Sequence, residues 1–223
     1  MSATALPDSL PDPSVFLNEW SPDTQLAALH RLWIDANADP AFELNPSNIV
    51  ASRISDQDYN ILADPTAFNA AANVAIALSH KRFIVRTFRR FRPAFPHLSE
   101  HAVLVHDNSK LTNMLEMVGY TQKWVHGTVE PQFWDRALQH HFASNSHHPE
   151  FYAVNGLLMT MSESDLEESV VDMLAIQWER VFAGRDDVTG GQLCEIQPRY
   201  LERYEVGDRA RVAELLNIIR ALP

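Results

Sequence analysis

Along this chain apolar residues recur three and four positions apart, the period of a helix with one buried face. Leu26, Leu29, Leu32 and Trp33 form the first such stripe, opened by Ser21-Pro22-Asp23-Thr24 and ending near Asn37. Over 68–92 the apolar positions are Ala71, Val74, Ala75, Leu78, Phe83, Ile84, Phe88 and Phe91, and Pro93 closes the run. Residues 99–120 predict a further helical region, and 131–146 another, entered through Pro131. Ser164 and Glu167 have the spacing of a capping box at the apolar run 166–182. Thr189-Gly190-Gly191 reads as a turn, and Val212, Leu215, Leu216, Ile218 and Ile219 mark a last amphipathic helix over 208–222. Alternating β-branched runs are scarce, so the pattern predicts an all-α helical bundle.

Composition adds boundaries to this picture. Pro7, Pro11, Pro13 and Pro22 among Asp and Ser make residues 1–22 a Pro-rich arm, ordered in part at most, on which Phe16 and Trp20 offer docking points. The remaining stretch, 23–223, is long enough for one core, and 46% of the chain is hydrophobic. Lys81, Arg82, Arg86, Arg89, Arg90 and Arg92 read as a solvated face near a helix C-terminus, where the dipole favours cations, with a small anionic site or a face for an acidic partner as the alternative. A net charge of −11 repels phosphate backbones and anionic bilayers, so extended nucleic acid and membrane surfaces are excluded as partners. No stretch approaches the roughly 20 apolar residues of a membrane span, and the opening MSATALPDSLPDPSVF lacks the layout of a secretory signal, so a cytoplasmic protein is expected. Homo-oligomerisation is compatible with all of this. Cys194, the lone cysteine, is expected to pack rather than react.

Histidine changes the picture most. Nine of the ten lie between His80 and His148, leaving only His30 outside. His80 shares a face with Ile84, Thr87, Phe88 and Phe91, so its ring points inward. The apolar run Val103-Leu104-Val105 delivers His106 and Asp107 together, and a buried carboxylate needs a partner or a cation. On a helix His141, Asn145 and His148 would line one face, and His140, Ser144 and His147 its neighbour, although Pro149 limits that helix. Asn145 and Glu150 are available as acceptors that orient imidazole ligands. Asp172 sits among Val170, Val171 and Leu174 on a strongly amphipathic helix. His, His-Asp, further His and then Asp, on separate helices, make a set suited to one or two divalent ions such as Mn, Fe, Co, Mg or Zn. There is no Walker-type phosphate loop, GxGxxG or GxSxG to suggest other chemistry.

The order of His80, His106-Asp107 and Asp172 resembles the HD-domain superfamily of metal-dependent phosphohydrolases. HDNSK from His106 is similar to the HDxGK form of its motif, with Ser109 replacing glycine. A nearer resemblance is to an uncharacterised HD-like family of phages and bacteria with HDxSK, HHxxxNxHHPEYW-like and EMVxDW motifs. The matching segments here are HDNSK, HHFASNSHHPEFY from His140 and ESVVDM from Glu168, with Tyr152 and Met173 standing where that family has tryptophans. The resemblance covers roughly 80–178. It implies an HD-like bundle and, where further histidines join, two metals bridged by Asp107; our choice for the added ligands is His141 and His148, with His147 an alternative to His148. His126 is a further candidate ligand, and Lys110 becomes a cation that either faces phosphate or stands behind the metal ligands.

Three functions follow as expectations. The first is hydrolysis of a phosphate ester of a nucleotide or other small metabolite by metal-activated water, with Lys110 neutralising charge in the transition state. The second is an HD-type di-iron oxygenase cleaving C–H, C–C or C–P bonds. The third is a metal-stabilised helical adaptor without enzymatic activity.

Overall fold

The structure, a computed structural model, describes residues 70–222. The Pro-rich arm and the first amphipathic stretch, at 23–37, lie outside the described residues. The chain divides into two compact units. Of the described residues, one unit comprises 70–79 and Asp107–His141, and the other His80–His106 and 142–222.

Helix α1 (Ala70–Arg90) opens in the first unit and continues into the second. Ala77, His80, Ile84, Phe88 and Phe91 are all buried, which is the three-and-four stripe expected of one inward face. Arg89 and Arg90 occupy its last turn, and a 3-10 turn at Arg92–Ala94, with Pro93 inside it, ends the run. Region 99–120 is not one helix. It is broken into α2 (Glu100–Val105), α3 (Ser109–Thr112) and α4 (Met114–Thr121). The first break has a backbone cause, because Asp107 adopts φ 56°, a left-handed conformation that helices reject but Asp tolerates. At the second, Asn113 leaves the helical region and its side chain caps α4 at Glu116 N–H.

In the first unit α4 runs into a π-helical turn, Gln122–His126, and α5 (Pro131–Ser144) follows. Val118, Phe133 and Ala137 are buried there, and Trp134 meets Tyr120 and Trp124 edge-on, at centroid distances of 5.1 and 6.5 Å.

Among the described residues, the larger core lies in the second unit. Its apolar cluster draws Ile84, Phe88 and Phe91 from α1, Leu166, Val170, Val171 and Leu174 from α6 (Glu163–Ile176), and Val212, Leu216 and Ile219 from α9 (Val206–Ala221). Each such side chain contributes roughly 1.5–3 kcal/mol on burial. The cap of α6 is Ser162, which accepts from Asp165 N–H, in place of the expected Ser164 and Glu167. Glu167 is engaged elsewhere, accepting the backbone N–H groups of His97 and Leu98. A π-helical turn, Gln177–Val181, extends α6 and buries Trp178. Arg86 and Arg90 lie over the Trp178 ring at 4.0 and 5.2 Å and donate to the carbonyls of Gly184 and Val188. Part of the expected solvated face therefore pins down the chain after α6, and Lys81 is buried, while Arg82, Arg89 and Arg92 remain exposed.

The all-α reading holds, with one small addition. Strands β1 (Ala153–Val154) and β2 (Leu157–Leu158) pair antiparallel across Asn155-Gly156, whose positive φ angles of 51° and 80° suit a tight hairpin turn. No helix among the described residues is long and apolar enough to cross a membrane.

Thr189-Gly190-Gly191 is a helix start rather than a simple turn. Thr189 and Gln192 form a capping box on α7 (Gly190–Leu193), and α8 (Pro198–Leu201) follows before α9. The two glycines are not equivalent. A Cβ on Gly190 would lie 2.7 Å from the Ile219 carbonyl oxygen and 3.2 Å from Phe91, whereas one on Gly191 would meet nothing nearer than Thr189 Oγ1 at 3.7 Å. Gly190→Ala is expected to cost about 1–3 kcal/mol by overpacking, and Gly191→Ala to stabilise by about 0.4–1 kcal/mol through the unfolded chain. Thermal melts of both variants check the opposite signs.

Cys194 packs as expected, buried, with Sγ donating to the Leu216 carbonyl at 3.5 Å. Burial pushes its thiol up from 9.0 to about 11. Because the neutral thiol is the favoured form, this stabilisation is complete below pH 9 and is lost as pH rises through about 11. Alkylation by iodoacetamide at pH 8 is expected to be about a hundredfold slower in the folded protein than in guanidinium, or slower still. Equal rates would contradict this.

Candidate metal centre

In the second unit four segments deliver one set of donors. The buried stripe of α1 carries His80 inward. His106 follows the last residue of α2, His147 and His148 lie in the loop after α5, and Asp172 sits on α6. The helix that the sequence predicts over 131–146 ends at Ser144, two residues early, and the limit set by Pro149 leaves His147 and His148 in the loop beyond it. Asn145, His147 and His148 thus project from a short loop ahead of a 3-10 turn at Pro149–Tyr152.

Asp172 is common to two groups. The ligating atoms of His80, His106 and Asp172 all lie within 4.8 Å of one another, and so do those of His147, His148 and Asp172. His80 Nε2 is 2.9 Å and His106 Nε2 3.8 Å from Asp172 Oδ1. The opposite ring nitrogens face glutamates: His80 Nδ1 donates to Glu179 at 3.1 Å, and the Nδ1 atoms of His106 and His147 donate to Glu168 Oε1 at 2.8 and 3.2 Å. Buried histidines with one nitrogen on a carboxylate and the other turned toward a second carboxylate have the donor chemistry of a divalent-cation site. The protein therefore carries buried His/Asp groups able to hold a metal ion.

The field at these carboxylates is shaped by the same histidines. Burial pushes Glu168 upward, but the hydrogen bonds from His106 and His147 outweigh it and bring its carboxyl down to about 2. Burial likewise opposes ionisation of Asp172, yet the bond from His80, with the charges of His80, His106 and His147, holds its carboxyl well below the usual range.

The first unit repeats the arrangement on a smaller scale. His141 Nδ1 donates to Glu116 Oε2 at 3.0 Å, while its Nε2 lies 3.5 Å from Asp107 Oδ1. Lys110 Nζ is 2.5 Å from Asp107 Oδ2 and sits over the Tyr120 ring. Glu116 is fully buried and also accepts from His140 Nδ1 at 2.6 Å and from the Ser109 hydroxyl at 2.9 Å. Ser109, in the place of a motif glycine, thus has a bonding role. His140 Nε2 accepts from Asn113 Nδ2, so both its ring nitrogens serve the fold.

Glu150 does not orient an imidazole. It forms a two-pronged pair with Arg203, at 2.8 and 2.7 Å. Asn145 is buried, and its carbonyl accepts from His148 N–H. His126 ends the π-helical turn of the first unit. Sequence reasoning missed Glu116, Glu168 and Glu179 as partners of the histidines. The last two carried a signal, since Glu168, Asp172 and Glu179 are spaced i, i+4, i+11 and share a helix face.

A family model described as "Family of unknown function (DUF5662)" matches residues 70–194. That stretch contains all the donors above and ends before α8 and α9. No curated protein and no solved structure matches the chain.

Proposed function

We propose that this chain, which belongs to the family of unknown function DUF5662, is a metal-dependent hydrolase of a phosphate ester on a small metabolite. The observation that carries the reading is Asp172, shared as a donor by His80 with His106 and by His147 with His148. Those five residues would hold the ion, or two ions, while Glu179 and Glu168 keep the rings in place from behind. A bound divalent metal supplies a Lewis acid and lowers the pKa of water to produce a nucleophile near neutral pH. Lys110, Asp107 and His141 enter through the resemblance to HD-domain phosphohydrolases, supported by the contacts they make within their own unit. Lys110 is the cation offered to phosphoryl oxygen.

The test combines elemental analysis of the purified protein with phosphate release from a panel of nucleotides and sugar phosphates under manganese, cobalt or magnesium. Metal-dependent release supports the proposal. A chain that carries two irons, consumes oxygen and releases no phosphate would establish the oxygenase instead, to which a histidine-rich donor set is equally suited.

A further inference from the structure

Helix α6 carries two consecutive buried glutamates with different work. Glu167 accepts the backbone N–H groups of His97 and Leu98 at 2.9 and 2.8 Å and His97 Nδ1 at 2.7 Å, which ties the segment before α2 to α6. Glu168 turns the other way, and a single oxygen, Oε1, receives the Nδ1 atoms of both His106 and His147. The two rings come from segments about forty residues apart in sequence, yet their centroids are 4.2 Å apart at an interplanar angle of 30°, which lets one oxygen serve both. An ionised carboxylate only accepts hydrogen bonds, so each ring must carry its proton at Nδ1. The nitrogen available to a metal is then Nε2 in both cases.

We infer that Glu168 is a positioning residue that selects the Nδ1–H tautomer of His106 and His147 together and so presents both Nε2 atoms as ligands. The inference rests on the proposed metal centre, and it adds a residue to which neither the ligand set nor the family match gives a role. Truncating or neutralising one carboxylate should disturb two ligands at once. The neighbouring Glu167, equally buried, should disturb neither.

The full-length protein, Glu168→Gln and Glu167→Gln are compared by two measurements. Nitrogen-15 NMR of the imidazoles in metal-free protein reads the tautomers. Titration with cobalt(II), followed by its visible absorption, reads affinity. The expected result is Nδ1–H for both rings in the native chain and, in Glu168→Gln, whose one neutral oxygen accepts more weakly than a carboxylate, a shift of both rings away from that tautomer. Cobalt affinity in that variant should fall about 10–100-fold. Glu167→Gln should keep both tautomers and the cobalt affinity while melting at lower temperature. If Glu168→Gln does not fold, Glu168→Asp, which keeps the charge but withdraws it by one methylene, should show the same weakening of cobalt binding. An Nε2–H tautomer at either ring in the native chain, or native cobalt affinity in Glu168→Gln, would overturn the inference while leaving the metal centre standing. A native chain that binds no cobalt would instead overturn the proposed function, and the tautomers would still decide whether Glu168 sets the two rings.

Discussion

Asp172→Asn is expected to abolish metal retention and reduce turnover by at least about a thousandfold, since a bound metal supplies several kcal/mol of charge stabilisation. The substitution keeps the shape of the side chain and an oxygen that accepts from His80 Nε2, now at 2.9 Å, but removes the negative charge common to both histidine groups. Stability gives an independent readout. Metal that binds the folded state at a hundred times its dissociation constant stabilises by about 2.7 kcal/mol, so manganese or cobalt should raise the melting temperature of the native chain. In Asp172→Asn that rise should vanish. A variant that binds metal normally would remove Asp172 from the centre and with it the observation on which the hydrolase reading stands.

Trp178→Ala should produce the largest loss of stability, about 3–5 kcal/mol, a substantial share of the 5–15 kcal/mol typical of a domain. Trp178 is 2% exposed, its indole N–H donates to the Arg185 carbonyl at 2.6 Å, and Arg86 and Arg90 cover its ring. Removal leaves a cavity in the larger core and releases the π-helical turn that carries Glu179 to His80. Metal affinity should therefore fall alongside stability. Urea denaturation reads the first effect and cobalt titration the second. Trp178→Phe, which restores most of the volume but not the N–H donor, should recover the greater part of both. A melting curve unchanged in Trp178→Ala would contradict the placement of this ring.

Much of the architecture was legible from periodicity alone. A helix buries a face according to its own spacing, so His80, set between Ala77 and Ile84 on the stripe of α1, could be placed in the interior without knowing what surrounds it. Asp172 among Val170, Val171 and Leu174 was legible at the border of a buried face, where it lies half-buried, and Cys194 beside Gly190-Gly191 as a packing residue. The histidine-rich segment advertised donor chemistry by its composition.

Pairings between distant segments are of another kind. His106 and Glu168 are 62 residues apart, and His80 and Glu179 are 99 apart, so no local pattern pairs them. Ser162 rather than Ser164 caps α6, while Glu167 accepts from the distant backbone of His97 and Leu98, and Glu150 pairs with Arg203 rather than with an imidazole. Gly190 and Gly191 are identical neighbours until the Ile219 carbonyl arrives beside one of them. Asp107 interrupts its helical run through a positive φ that side-chain periodicity does not encode. Which faces turn inward and which residue types can bind a cation could be read along the chain, because both are properties of a single segment. Which nitrogen of each ring faces a glutamate and which faces Asp172 or Asp107 was decided only by assembly, because a hydrogen bond between distant segments exists only once their helices have packed.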